Sequence, residues 1–206
     1  MVTLSKEAFN PDGSLYGDPQ FDSKLVEQRN VKRAQATIID KHKRVCHNLL
    51  NESEITRLLM AAKTSRHGIR DYCMFLLMYR HGLRVSELIG ARLVDIDLVA
   101  GCMSVKRMRK GLSTMQLLQG GELRALRAYL RTRKDHLPWL FLSSQGGQMT
   151  RQNVNKLIKK AGERASLGHV YPAMLRKSCK YVLSSNGTEA QVLQAWLGYR
   201  DARRST

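Results

Sequence analysis

One stretch constrains the fold of this chain more than any other. From about His67 to His81 the residues are apolar on nearly every side, above all in the run Tyr72-Cys73-Met74-Phe75-Leu76-Leu77-Met78-Tyr79. A surface helix keeps one apolar stripe and a polar back; a helix apolar nearly all round has to be enclosed by other elements. The run is far shorter than the roughly 20 residues a membrane span needs. The spacing therefore predicts a central helix inside a globular core, ended by Gly82 in a left-handed conformation.

The rest of the sequence supplies the elements to surround it. In Asn51-Glu52-Ser53-Glu54 either Asn51 or Ser53 can cap a helix whose Ile55, Leu58, Leu59 and Ala62 share one face. A short helix starts near Ser86. Cys102 to Lys106 and Thr114 to Leu118 read as two strands, joined by a basic, glycine-containing turn from Arg107 to Ser113, which makes a hairpin with a cationic tip. A helix from about Gly121 to Arg133 follows, then a short strand at Trp139-Leu140-Phe141-Leu142. Three helices close the pattern, near Arg151 to Ala165, Pro172 to Ser185 and Glu189 to Leu197. The expected class is mainly α with a small antiparallel β-sheet (α+β). The expected domain spans 49–206. Residues 1–48 carry turn signals at Asn10-Pro11-Asp12-Gly13 and Gly17-Asp18-Pro19 and a basic stretch from Arg29 to Arg44, and read as a partly disordered arm, either solvated or touching a polyanion.

Charge decides the class of partner. With 35 Lys and Arg against 17 Asp and Glu the net charge is +18, a field that favours nucleic acid over small neutral or acidic ligands. A generally adhesive basic protein is the plain alternative at this level. Cys46, Cys73, Cys102 and Cys179 lie far apart, without a Cys-x-x-Cys pair or a neighbouring histidine at zinc-ligand spacing, so reduced thiols in a cytoplasmic protein are expected and no metal. The start of the chain reads as no secretory signal. Asp95 and Asp97 read as turn residues without partners, which leaves no carboxylate cage for a two-metal nuclease.

Three basic side chains occupy special places: Arg84 just past a glycine helix end, Lys110 at the hairpin tip, and Arg176 in the first turns of the helix from Pro172. Arginine forks suit the nonbridging oxygens of a phosphate, and a lysine can protonate or stabilise a departing oxygen. Glu87, three residues after Arg84, can hold that guanidinium. The words around these residues carry a resemblance. Arg80-His81-Gly82-Leu83-Arg84-Val85-Ser86-Glu87-Leu88 resembles the first arginine box of the tyrosine recombinases, or phage integrases. Arg109-Lys110-Gly111 is similar to their hairpin lysine, Pro172-Ala173-Met174-Leu175-Arg176-Lys177-Ser178 to their Pro-His-x-Leu-Arg-His box, and Trp196-Leu197-Gly198-Tyr199 to their Leu-Gly-His. The matches fall in family order over about residues 50 to 206, and the short stretch ahead of them resembles the catalytic-domain-only recombinases of fimbrial phase switching.

The resemblance implies a mechanism. A tyrosine attacks the scissile phosphate to give a 3′-phosphotyrosyl link and a free 5′-hydroxyl, so bond energy is kept and no cofactor is needed. Arg84 and Arg176 would clamp the phosphate, Lys110 would be general acid at the 5′-oxygen, and Glu87 would support Arg84. Double-stranded DNA is the implied partner, with other recombinase subunits on it, in the cytoplasm of a prokaryotic cell at the nucleoid. This sequence departs from the family at Ala173, where a histidine normally bonds the phosphate, at Tyr199, whose phenol replaces another histidine donor, and at Lys177, which keeps charge but not an imidazole. The family nucleophile would fall two positions past Thr206. Tyr181 reads as a core residue, and His81 and His169 as a helix-end and a loop residue. The expectation is a chain that holds DNA and is impaired or inactive in cleaving it; the alternatives are an accessory DNA-binding protein acting with an intact recombinase, and an RNA-binding protein.

Overall fold

A computed structural model describes residues 48–107 and 111–199. The expected basic arm and Lys110 lie outside the described residues. Within them the chain runs α1 (Glu52–Lys63), α2 (Gly68–Arg80), α3 (Val85–Gly90), a 3-10 turn (Leu93–Asp95), β1 (Ile96–Asp97), β2 (Cys102–Val105), β3 (Thr114–Leu117), α4 (Gly120–Thr132), α5 (Arg151–Arg164), α6 (Pro172–Ser185) and α7 (Ala190–Leu197). This is the expected α+β class. No helix among the described residues is long and apolar enough to cross a membrane.

Helix α2 is the axis of the core, as its all-round apolar character requires. Cys73 to Met78 are all buried, and the helix packs against α1, α4 and α6. Ile55, Leu58 and Ala62 come from α1, Ala125, Leu126 and Tyr129 from α4, and Met174 and Leu175 from α6. Of the two candidate caps for α1, Asn51 is the one used: its side chain accepts from the Glu54 N–H and Glu54 returns a bond to the Asn51 N–H, both at 2.9 Å. Two buried thiols, Cys73 and Cys179, are free, as is the half-buried Cys102; burial pushes the Cys179 thiol up to about 12.

The sheet has three antiparallel strands in the order β1-β2-β3. β2 and β3 form the expected hairpin, with Cys102 opposite Leu117 and Val105 opposite Thr114. The third strand differs from expectation. Ile96 and Asp97 pair with Met103 and Cys102, whereas Trp139 to Leu142 makes only isolated bridges, Arg92 with Trp139 and Leu142 with Gln148. The backbone of that segment is spent elsewhere: Leu140 N–H donates to the Ala91 carbonyl at 2.8 Å, and the Trp139 carbonyl accepts from Arg133 at 2.7 Å. Asp95 and Asp97 do have partners. Asp95 accepts from the Arg92 N–H at 2.9 Å and pairs with Lys106 at 2.8 Å, and Asp97 accepts from the Val99 and Ala100 N–H groups. Tyr181, expected in the core, is 58% exposed, because the buried positions of α6 run through Met174, Leu175, Arg176, Ser178 and Cys179 on the other side.

Candidate functional site

The site begins where α2 ends. Gly82 takes φ +57, and the Leu83 N–H reaches back to the Met78 carbonyl at 3.1 Å, which turns the chain sharply and delivers Arg84 to the start of α3. Glu87 then sits in the first turn of α3 and closes on it: one oxygen accepts from the Arg84 guanidinium at 2.7 Å and the other from the Arg84 N–H at 2.9 Å. The expected support of Arg84 by Glu87 is thus a double contact, guanidinium and backbone together.

Arg176 arrives from α6, begun by Pro172 with its fixed φ. Its guanidinium donates to the Gly82 carbonyl and, at 2.9 Å, to the Leu197 carbonyl, and stands 3.8 Å from Glu87 Oε2. The two sequence-predicted arginines therefore meet around one carboxylate. Tyr199 meets them too: its ring centroid lies 5.0 Å from the Arg176 guanidinium carbon and 6.0 Å from that of Arg84, so the face of the phenol covers both cations. Ala173 and Lys177 are exposed on α6, and the Ala173 methyl offers no donor.

The residue that sequence reasoning missed is Arg107. Read as part of the cationic hairpin tip, it is instead buried, its side chain 0% exposed. It donates to Glu87 Oε2 at 2.8 Å and to the His81 carbonyl at 3.0 Å, and reaches the Trp196 carbonyl as well. A signal was present: Met103, Val105 and Arg107 follow the period of a strand, and all three point inward. Strand alternation overrode the usual solvation of a lone arginine because two helix ends, of α2 and α7, turn their negative carbonyl poles toward it.

Three guanidiniums and one carboxylate leave two positive charges in excess. Burial alone would raise the Glu87 carboxyl, but the Arg107 guanidinium and the hydrogen bonds from Arg84 outweigh it and hold the group below the ordinary carboxylate range. Burial pulls Arg107 down from the usual arginine value, opposed by Glu87. Around this centre lies a second polar cluster. His81 Nδ1 meets Gln116 Oε1 at 2.8 Å, Gln116 donates to the Trp196 carbonyl at 2.7 Å, and the Trp196 ring stacks on His81 at 5.7 Å. Among the described residues no group of three His, Cys, Asp or Glu side chains could hold a metal.

Gly198 closes the arrangement. At φ +66 it caps α7, and a Cβ there would collide with Arg107 Cγ and fall 2.8 Å from the Leu112 carbonyl oxygen, so both feet of the hairpin grip the end of α7. Gly198→Ala is expected to cost about 2 kcal/mol or more, since a left-handed φ and a clash with the buried Arg107 side chain and the Leu112 backbone add together. A urea midpoint unchanged from the parent would contradict this packing.

Helix α5 packs against both α3 and α6 and turns Arg151, Gln152, Asn155, Lys156, Lys159 and Lys160 to solvent. This is a basic, hydrogen-bonding face beside the arginine centre.

The phage integrase family matches residues 48–205. The type 1 fimbriae regulatory protein FimB of Escherichia coli strain K12 is 40% identical over 163 residues, which cover 77% of this chain and 82% of that protein. The fold is shared with the crystal structure of XerA recombinase, at a TM-score of 0.69 and 23% identity over 76% of this chain and 58% of that one. It is shared as well with XerH site-specific recombinase bound to difH substrate, at a TM-score of 0.66 and 19% identity over 77% of this chain and 49% of that one.

Proposed function

The chain belongs to the phage integrase family, whose chemistry is site-specific DNA recombination, and from that premise we propose that it grips duplex DNA through Arg84 and Arg176. The observation that carries this reading is the convergence of the two arginines on Glu87 beneath one aromatic ring. A guanidinium fork binds two phosphate oxygens at once, and in a partly buried setting each such contact is stronger than at an open surface. The solvent-facing side chains of α5 supply a helix of the width a major groove admits, with Gln152 and Asn155 as base-edge donors and acceptors and the lysines as phosphate contacts. In this reading Lys110 is the general acid, Glu87 and Lys177 support the arginines, and Tyr199 covers them until a phosphate displaces its ring. Recombination by this route assembles several subunits, of this chain or of a related one, on one DNA.

Ala173 favours a second reading within the same family. It lies three residues before Arg176 in the same helix, and its methyl can neither bond a phosphate oxygen nor relay a proton. DNA binding survives that loss and strand cleavage suffers from it, which suits an accessory role beside an intact recombinase.

Binding and cleavage are tested apart. For binding, fluorescence anisotropy with a labelled duplex at several salt concentrations is expected to show Arg84→Ala weakening affinity about tenfold and lowering the salt slope by about one phosphate contact. Equal affinity for single-stranded RNA and duplex DNA at matched salt would sink the reading. For cleavage, a covalent protein–DNA adduct trapped on supercoiled plasmid, with Ala173→His forming it faster, would favour the recombinase over the accessory role.

A further inference from the structure

Resting on the clamp reading above, we infer that Arg107 is a positioning residue, the internal counter-ion of Glu87 that keeps Arg176 off the carboxylate and so leaves it, with Arg84, to a phosphate. The donors divide between the two oxygens of Glu87. Glu87 Oε1 accepts from the Arg84 guanidinium at 2.7 Å. Oε2 accepts from the Arg84 N–H at 2.9 Å and from Arg107 Nη1 at 2.8 Å. Arg176 Nη1 stands 3.8 Å from that same oxygen, beyond hydrogen-bond distance, and donates instead to the Gly82 carbonyl, while Nη2 donates to the Leu197 carbonyl.

A buried carboxylate draws the nearest cation strongly, because little water screens it. Glu87 is 1% exposed in its side chain and would take a full hydrogen bond from Arg176 if Oε2 were open to it. Arg107 meets that demand from inside. It is unavailable to DNA itself, being enclosed, and its Nη2 donates to the His81 and Trp196 carbonyls at the ends of α2 and α7. The enclosed guanidinium of this centre thus neutralises the carboxylate that would otherwise compete with phosphate.

The test uses duplex DNA of random sequence and anisotropy across a salt series, with circular dichroism and urea midpoints for every variant. In Arg107→Met, which keeps an unbranched apolar stem but not the charged head, Arg176 is expected to be drawn onto Oε2. Affinity falls about tenfold and the salt slope by about one contact. Adding Glu87→Gln removes the charge that captures Arg176, and slope and affinity return toward the parent. A residue that only holds the fold together gives the opposite result, since the second substitution then adds to the damage. If Arg107→Met fails to fold, Arg107→Lys retains the charge and is expected to keep the parental slope at reduced stability. The inference is overturned by an Arg107→Met protein with parental slope and affinity, by a double variant no better than the single one, or by a folded Arg107→Lys that loses the slope. Arg84→Ala in the same series separates the two levels: an unchanged slope there brings down the clamp reading itself.

Discussion

Glu87→Ala is expected to destabilise the fold by about 3–5 kcal/mol, the range for breaking a buried ion pair by deleting one partner. The loss is large because Glu87 is shared. Its removal strands Arg107, whose side chain has no exposed surface, and also unties the Arg84 N–H at the start of α3. Glu87→Gln is expected to lose less, since an amide oxygen still accepts from Arg84. Urea denaturation of the two variants beside the parent decides it. A loss below about 1 kcal/mol for the alanine variant would mean that the carbonyls at the ends of α2 and α7 satisfy Arg107 without a counter-ion. As a depressed carboxyl, Glu87 contributes stability at neutral pH that is lost only as pH falls through its lowered value.

How far this centre could be read beforehand follows from what kind of signal each residue gives. Arg84, Glu87 and Arg176 stand in local words, a glycine helix end followed by a helix and a proline helix start, and local words survive without knowledge of the fold. The central position of α2 was legible for a similar reason, because its composition admits no solvent face. Arg107 was not legible as a buried group by charge, since its partners come from residues 20 to 89 positions away. Only strand alternation through Met103 and Val105 pointed to it. The segment from Trp139 to Leu142 misled in the opposite sense: its apolar run suits a strand, but Ala91 and Arg133 take up backbone groups that a ladder would need. Tyr181 misled because a tyrosine in an apolar helix was given to the core, when the face of α6 is set by Met174, Leu175 and Cys179.

Acid is expected to weaken the protein well above the pH at which most carboxylates protonate. Burial, against the hydrogen bond to the Gln116 oxygen, lowers the His81 imidazole from 6.5 to about 4. In the folded state it is therefore neutral across that interval, while in the unfolded chain it takes up a proton. A histidine depressed on folding contributes stability that is complete above pH 6.5 and declines as pH falls toward 4, by roughly 3 kcal/mol in all. The hydrogen bonding fits a neutral ring. Gln116 donates to the Thr114 hydroxyl and the Trp196 carbonyl, so its oxygen faces His81 and the ring proton sits on Nδ1. Nε2 then lies 3.6 Å from Glu122 without forming an ion pair at neutral pH. Burial raises the Glu122 carboxyl, and its contribution runs the other way, growing as pH falls and offsetting part of the loss. Urea midpoints of the parent and His81→Asn between pH 7.5 and 4 check the sign, with the slope between about 6.5 and 4 expected to flatten in the variant. Parallel curves would show that His81 is not the titrating group.

The bonds from Arg176 to Gly82 and from Arg107 to Trp196 join residues 94 and 89 positions apart. Loops of that length close late, because their entropy is lost before the contacts reward it. Helix α2 meets α1 and α4 through nearer contacts, but its packing on α6 and the arginine centre both wait for spans of about that length. The convergence of the arginines on Glu87 thus depends on contacts between distant parts of the chain, and a half-folded chain carries its charge without that arrangement.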